Sequence, residues 1–222
     1  MPQPSPTPDD PSDLATNPNF DLTNPLTSHS LILSIPISQL YLCALRNDHN
    51  EGDEAGEPPT NHWTLCLETA PTSCVMLDMV PGDGSDGRRG KIEVSALNQE
   101  YDGEDSRPYS DETLRAFSFP VLRNTTAREI MEFIVAKGRD AFTFSPEWEG
   151  CRFWLSVVMA DLEAEGLVEK GAGDEAKRVL MLYWRNPEGS EPRVMREGTF
   201  RGAEGDSGEH SEGWETIDDT EL

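Results

Sequence analysis

Alternating apolar and polar residues predict a series of β-strands in the first half of the chain. The clearest case is "HWTLCLET", in which Trp63, Leu65 and Leu67 share one face and the residues between them share the other. Short turns rich in Gly and Pro separate the neighbouring apolar segments, which favours an antiparallel meander. The segments predicted as strands are Ser30–Leu45, His62–Thr69, Cys74–Val80, Lys91–Leu97 and Ala116–Leu122.

The period changes to that of a helix after residue 123. Thr126 and Glu129 have the spacing of a capping box, and the helix that follows is expected to end at Gly138. A second helix is predicted from Cys151 to Gly166, with one apolar stripe. That stripe comprises Cys151, Trp154, Leu155, Val158 and Leu162. Asp174–Trp184 fits either a helix or a strand, and Pro192–Phe200 is predicted as a short closing strand.

Strands followed by helices indicate an α+β domain. We expect an antiparallel sheet of about four to six strands packed with two or three helices. The predicted domain spans residues 30–201 and contains an acidic loop at 46–61. Residues 1–29, rich in Pro and acidic residues, and the acidic residues 202–222 are predicted to be disordered tails, since neither has enough apolar surface to fold alone.

Composition narrows the possible partners. The chain has 222 residues and a formal net charge of −24. Such acidity disfavours DNA binding through phosphate neutralisation, whereas it would attract a small cationic substrate. No apolar run is long enough to cross a membrane, and the N-terminus lacks the pattern of a secretory signal, so we expect a cytoplasmic protein without membrane contacts. The oligomeric state is not predicted.

No cofactor is expected. The four cysteines have no C-x-x-C or C-x-x-H spacing, which excludes the common zinc patterns, and they are expected to be reduced thiols. The glycine-rich motifs of nucleotide-binding loops are absent as well.

Cys151 is the first candidate for chemistry. It follows Gly150, whose bare backbone would let a substrate approach, and it opens a helix. The N–H groups and dipole of a helix N-terminus lower the pKa of a thiol and can bind an oxyanion. The alternative is a core cysteine, because Cys151 is in register with the apolar stripe.

His62 is the candidate base for Cys151, because a nucleophilic thiol needs a base and the base needs an orienting group. Asp78, on the next predicted strand, is the candidate orienting group, with Asn61 and Glu68 as weaker choices. The alternatives are a histidine at a strand edge bound to a loop, and a surface acid near a turn.

Four residues are candidates for substrate binding. Arg152 would anchor an acidic group or its own helix, and Glu149 would favour the helix N-terminus or bind a cation. Trp148, with Phe142 and Phe144 nearby, would cover the core or form an aromatic wall. Glu68 is the fourth, on the face of its strand that carries His62.

"HWTLCLE" followed much later by "GCRFW" resembles the circularly permuted papain-like proteins, of the lecithin retinol acyltransferase and permuted peptidase type. The resemblance implies that His62 is the base and Cys151 the nucleophile. Two positions depart from it, since Gly150 stands where Asn is common, and Cys74 or Asp78 stands in place of a second histidine. The identity of the third catalytic residue is therefore open.

The span from His62 to Phe200, with "GCRFW", "MLYW" and "EGTF", resembles a family of uncharacterised fungal proteins. Through that family it is similar to the fungal arginine-containing cyclodipeptide synthases, which join aminoacyl groups from aminoacyl-tRNA. This resemblance implies an aminoacyl donor and an acidic pocket for a guanidinium. Binding of tRNA would require a basic cluster against the overall acidity.

The sequence therefore predicts a Cys–His acyl-transfer enzyme. Its substrate would be a small acyl or aminoacyl donor, with aminoacyl-tRNA and an arginine-containing cyclic dipeptide as one form of the reaction. The alternatives are a cysteine hydrolase of peptidase or amidase type, and a non-enzymatic binding protein with a buried, inert Cys151.

Overall fold

A single large sheet with helices on one side organises the protein. The computed structural model describes residues 14–22, 30–46, 59–99, 106–186 and 188–201. Five long antiparallel strands form the centre of the sheet, so the predicted α+β class with an antiparallel sheet is confirmed. In chain order the elements are β1 (Phe20–Asp21), α1 (Ser30–Leu33), β2 (Gln39–Leu45), β3 (Trp63–Ala70), β4 (Ser73–Asp83), β5 (Arg89–Asn98), β6 (Thr113–Pro120), α2 (Ala127–Ala136), β7 (Phe142–Thr143), α3 (Cys151–Ala164), α4 (Ala172–Leu180), β8 (Leu182–Trp184), β9 (Ser190–Pro192) and β10 (Thr199–Phe200).

The order of strands across the sheet is β10-β7-β5-β4-β3-β2-β6, with every neighbouring pair antiparallel. The two-residue strand β1 adds to β5 in parallel. β8 and β9 form a separate two-stranded ribbon. The central position of β3 and β4 matters for function, because both strands carry residues of the site described below.

Both faces of β3 are covered. Leu65 and Leu67 belong to the main core beneath the helices, whereas Cys66 belongs to a second, smaller cluster with Cys43 and Cys74. Successive side chains of a strand point to opposite faces, so the second cluster lies on the side of the sheet away from the main core. Three of the four cysteines are thus buried apolar residues of this cluster.

The helices begin and end close to the predicted residues. Thr126 and Glu129 form the reciprocal hydrogen bonds of a capping box at the start of α2. Helix α3 starts at Cys151 and is followed by Gly166 at φ +71°, a conformation that favours glycine. Helix α4 packs on α3, and the carboxylate of Glu163 on α3 accepts hydrogen bonds from N–H groups at the start of α4.

Three segments differ from the prediction. Ser30–Leu45 is not one strand, because α1 and the turn at Pro36 precede β2. The ambiguous segment Asp174–Trp184 contains both elements, since α4 ends at Leu180 and β8 begins at Leu182. The predicted closing strand Pro192–Phe200 divides between β9 and β10, and the side chain of Arg193 between them binds Glu149, two residues before α3.

The domain also starts earlier than residue 30. Residues 14–22, which the sequence assigns to a tail, lie on the sheet and bury Leu14 and Phe20 in the main core. Asn17 and Asn19 both donate a hydrogen bond to Asp140, and these contacts hold the segment in place. The rest of the predicted tails and most of the predicted acidic loop, residues 47–58, lie outside the described residues. Within the described part of the chain, no helix is long and apolar enough to cross a membrane.

Candidate active site

A small pocket of about 140 Å³ lies where the start of β3, the end of β4 and the first turn of α3 meet. His62 enters it from the residue before β3, and Cys151 enters it as the first residue of α3. The packing of α3 against β3 and β4 brings these two side chains together. The lining residues are Thr60, Asn61, His62, Pro81, Phe144, Trp148, Glu149, Gly150, Cys151, Arg152 and Arg196.

Asp78 orients the imidazole of His62. The distance between Nε2 of His62 and Oδ1 of Asp78 is 2.6 Å. Asp78 lies on β4, next to the strand that follows His62, and its side chain is 15% exposed against 37% for His62. A short bond between a carboxylate and a ring nitrogen fixes the plane of the imidazole and favours its protonated form. This bond uses Nε2 of the ring and leaves the other nitrogen, Nδ1, outside it.

The Cys151 sulfur interacts with His62 and with the backbone N–H of Trp63. Burial alone would raise the pKa of the Cys151 thiol. The hydrogen bond and positive charge of His62, the Trp63 N–H and the charge of Arg152 outweigh burial and lower that pKa below its ordinary value. The thiolate of Cys151 therefore forms at a lower pH than that of an ordinary cysteine.

The pKa of His62 is shifted in the opposite direction to that of Cys151. Burial would lower the pKa of its imidazole, but the hydrogen bonds to Asp78 and Cys151 and the two negative charges outweigh burial and raise the pKa to about 11. A protonated imidazole beside a thiolate is the charge arrangement that activates cysteine nucleophiles.

The first turn of α3 offers backbone donors beside the sulfur. The first hydrogen bond of the helix runs from the Trp154 N–H to the Gly150 carbonyl at 2.8 Å, and no side chain caps the helix at Gly150. The N–H groups of Cys151, Arg152 and Phe153 therefore precede the helical ladder. Donors in this position are suited to an oxyanion.

Gly150 is required for packing. A Cβ at this position would lie 2.8 Å from Cε1 of Phe142, which is closer than real Cβ contacts, and 3.0 Å from Cδ1 of Phe144, which is tighter than most. The two rings therefore occupy the space that a side chain would need. The glycine allows the aromatic core to press against the start of α3 and so fixes where Cys151 sits.

Glu149 and Arg152 are bound to the protein itself. The carboxylate of Glu149 accepts hydrogen bonds from Arg152 at 3.0 Å and from Arg193 at 2.5 Å. Arg152 is only 3% exposed and also donates to the carbonyls of Leu180, Arg193 and Val194. These contacts tie the segment after β9 to the start of α3. Of the two roles expected for Arg152, anchoring its own helix fits this position.

Of the remaining candidates, Trp148 lies at the pocket and Glu68 lies on the far face of the sheet. Trp148 lines the pocket, and 52% of its surface is exposed. Glu68 does not reach the pocket, because it lies six residues along the strand from His62, roughly 20 Å away. Its carboxylate accepts a hydrogen bond from the Tyr41 hydroxyl at 3.0 Å on the face of the second cluster. Asn61, the weaker candidate for orienting His62, binds backbone groups of Leu45 and Trp184.

Sequence reasoning missed three contributors to the site: the Trp63 N–H, Arg193 and Arg196. A backbone donor has no sequence pattern, so the role of the Trp63 N–H was not predictable. The two arginines stand in "PRVMREGTF", which was interpreted as a strand. Two arginines three residues apart in an acidic chain were the available signal for a buried acidic partner.

The other three cysteines are unlike Cys151. Cys43, Cys66 and Cys74 are at most 1% exposed, and the sulfurs of Cys43 and Cys66 are 3.8 Å apart. Hydrogen bonds between neighbouring thiols, together with burial, hold the pKa values of Cys66 and Cys74 well above the usual range. These thiols are expected to be inert, whereas Cys151 is partly exposed in a pocket.

Among the described residues, no group of three or more His, Cys, Asp or Glu side chains is arranged to hold a metal ion.

Comparison with known proteins gives a family but no functional relative. No curated protein and no solved structure matches the chain significantly. A family profile matches residues 40–201, which include every side chain of the His62–Asp78–Cys151 arrangement. The chain therefore belongs to the family described as "Domain of unknown function (DUF7770)".

Proposed function

We propose that the protein is a cysteine-dependent acyl-transfer enzyme in which Cys151 is the nucleophile, His62 the proton donor and acceptor, and Asp78 the residue that orients His62. One observation carries the proposal. Cys151 opens a helix at a pocket, its thiol interacts with His62 in the same pocket lining, and Nε2 of that histidine lies 2.6 Å from a carboxylate of Asp78. The nucleophile thus interacts with the base, and the base with its orienting group.

The first half of the reaction forms an acyl-enzyme. The Cys151 thiolate attacks the carbonyl carbon of an ester, thioester or amide, and a new C–S bond forms. N–H groups in the first turn of α3 stabilise the oxyanion. As the tetrahedral intermediate collapses, the bond to the leaving group breaks and protonated His62 gives that group its proton.

The second half releases the acyl group. Neutral His62 takes a proton from water or from an amine, which attacks the acyl carbon as the C–S bond breaks. Water as acceptor makes the enzyme a hydrolase, and an amine makes it a transferase. Both use the same three residues, so the choice of acceptor depends on which molecule occupies the pocket during this step.

A guanidinium-bearing donor receives little support from the pocket. Glu149, the acidic residue in its lining, already binds Arg152 and Arg193. Its carboxylate is therefore engaged, and an arginine substrate would have to displace one of the protein's own arginines. We accordingly propose acyl donors in general, with aminoacyl-tRNA and cyclic dipeptide formation as one special case. A cytoplasmic setting, which would keep Cys151 reduced, is part of the proposal.

Alkylation tests the nucleophile. Iodoacetamide should label Cys151 at neutral pH at least about tenfold faster than Cys43, Cys66 and Cys74, because Cys151 lines a pocket and has a lowered pKa, whereas the other three cysteines are buried. Peptide mass spectrometry of the full chain gives all four rates in one sample. His62→Gln should slow labelling of Cys151 while the three buried cysteines keep their rates.

Acylation tests the reaction. Incubation with a panel of simple thioesters should add one acyl group to Cys151, and Cys151→Ser should abolish that thioester adduct. Equal labelling of all four cysteines by iodoacetamide, or a Cys151 rate that does not depend on His62, would refute the activated nucleophile. The alternative of an inert Cys151 would then be favoured.

A further inference from the structure

Trp148 has a conformation that its sequence alone does not favour. Its φ is +62°, and it is the non-glycine residue with positive φ among those described. The left-handed region is unfavourable for a bulky side chain, and such residues persist where the surrounding structure holds them. A strained residue at the rim of a candidate active site calls for a functional explanation.

The turn around Trp148 is held on both sides. The N–H of Trp148 donates to the carbonyl of Ser145 at 3.0 Å, and the N–H of Ser145 donates to the carbonyl of Glu149 at 2.9 Å. Glu149 is in turn fixed by Arg152 and Arg193. The buried arginines therefore maintain the backbone that presents the Trp148 ring.

The ring has a defined support. A Cβ at Gly87, in the turn between β4 and β5, would lie 2.8 Å from Cη2 of Trp148, so the indole edge rests against the Gly87 backbone. Even so, 52% of Trp148 remains exposed. A rigid aromatic side chain that is presented to solvent in this way resembles an anchor of a binding site more than a residue covering the core.

Trp148, Phe144 and Pro81 form what we call the apolar wall of the pocket. His62 and Cys151 line the same pocket. A group attached to the carbonyl carbon under attack would therefore lie within reach of the wall. The pocket volume of about 140 Å³ is close to the roughly 150 Å³ of a cavity that holds one benzene ring.

We propose that the apolar wall selects the acyl group, and that the preferred donor carries a single aromatic ring next to its carbonyl, as a phenylacetyl group does. This inference rests on the proposed acyl transfer to Cys151 and specifies its substrate class. Trp148 is the specificity residue, because its indole supplies the exposed flat surface on which the ring of the substrate stacks.

Three N-acetylcysteamine thioesters test the assignment, since they share a leaving group without a ring. They carry acetyl, cyclohexylacetyl and phenylacetyl groups, and intact-mass spectrometry follows the acylation of Cys151. In each reaction the C–S bond to the leaving thiol breaks as the bond to Cys151 forms. The phenylacetyl group should transfer roughly tenfold faster than acetyl, the scale of discrimination expected for an apolar pocket.

Two variants of Trp148 provide the matched comparison. Trp148→Asn removes the ring but keeps a residue that tolerates positive φ, so the turn is retained. Its ratio of phenylacetyl to acetyl rates should fall towards one. Trp148→Phe keeps a ring and should preserve most of the ratio. Iodoacetamide labelling of the same samples reports separately on the Cys151–His62 pair.

The outcomes distinguish the two proposals. If Cys151 is neither labelled rapidly nor acylated, the proposed function fails. If Cys151 is acylated but wild-type protein prefers neither ring, or Trp148→Asn leaves the phenylacetyl preference intact, the wall does not select the acyl group. Equal rates for cyclohexylacetyl and phenylacetyl would overturn the aromatic assignment. Should Trp148→Asn fold poorly, the ratio of phenylacetyl to acetyl rates in the wild-type protein still tests whether the wall selects the acyl group.

Discussion

Replacing Asp78 by Asn tests the electrostatic basis of the site with little change in shape. The substitution removes the negative charge 2.6 Å from Nε2 of His62 and keeps a side chain of the same size. Since that charge favours the protonated imidazole, the pKa of His62 should fall from its raised value of about 11.

The size of the fall follows from the exposure of the pair. A hydrogen bond to a charged group contributes about 1.5–3 kcal/mol, and one pKa unit corresponds to about 1.4 kcal/mol, which together give a shift of roughly one to two units. The His62 side chain is 37% exposed, so solvent screening favours the lower end. We expect a decrease of about one unit.

Titration by NMR measures this shift directly. The chain contains four histidines, so the imidazole signals are few, and the signal lost in His62→Gln identifies His62. In the wild-type protein this signal should remain that of a protonated ring throughout the neutral range. Because the pKa is raised above its ordinary value of 6.5, the stability gained from protonation is complete below pH 6.5 and is lost as the pH rises towards about 11.

Asp161→Asn is the matched control. Asp161 forms an ion pair of the same length, 2.6 Å, with Arg139, and its side chain has a similar exposure of 20%. It lies on α3 away from the pocket lining, so its loss should leave the His62 titration in place. A His62 midpoint that moves by less than about 0.3 units in Asp78→Asn, or equally in both variants, would refute the role assigned to Asp78.

Two further substitutions test how the start of α3 and its neighbour α4 are built. Gly150→Ala places a Cβ 2.8 Å from the Phe142 ring, and such overpacking should cost about 1–3 kcal/mol in urea unfolding; an unchanged midpoint would show that the ring moves freely. Glu163→Gln weakens the hydrogen bonds from the N–H groups of Gly171 and Gly173, so the melting temperature should fall. These bonds lower the pKa of Glu163, so the difference in melting temperature between Glu163→Gln and the wild-type protein should become smaller as the pH falls below 4.5. A difference in melting temperature that does not depend on pH would contradict this explanation.

The regular elements were predictable wherever one local pattern dominated. The alternation around Trp63, Leu65 and Leu67 correctly predicted β3, and the capping box at Thr126 correctly predicted the start of α2. The strand prediction for Ser30–Leu45 was wrong in its first half, because the four residues "SLIL" at its start form α1 before the chain turns at Pro36. Short apolar runs fit either a helix or a strand, and tertiary packing decides between them.

The candidate site was only partly predictable. His62 and Cys151 could be selected because a histidine at a strand start and a cysteine at a helix start are unusual in this chain. The explanation first given for Gly150 was approach of a substrate, yet the structure shows the rings of Phe142 and Phe144 packed against it. The pairing of Glu149 with Arg193 depends on where a distant segment returns, and no local pattern specifies that.

The net charge of the protein and the charges beside Cys151 affect different steps, namely the approach of a charged donor and the ionisation of the thiol. The net charge of −24 attracts cations over the whole surface, but screening in 0.15 M salt limits interactions between exposed charges to about 8 Å. The Cys151 sulfur instead responds to His62, Arg152 and the Trp63 N–H, which are close to it and partly or fully shielded from water. Added salt should therefore change how fast a charged donor reaches the pocket, whereas the lowered pKa of Cys151, which short-range contacts cause, should change little. The overall acidity of the protein is thus compatible with a lowered pKa of Cys151, because the charges that act on this sulfur are those of His62 and Arg152 beside it.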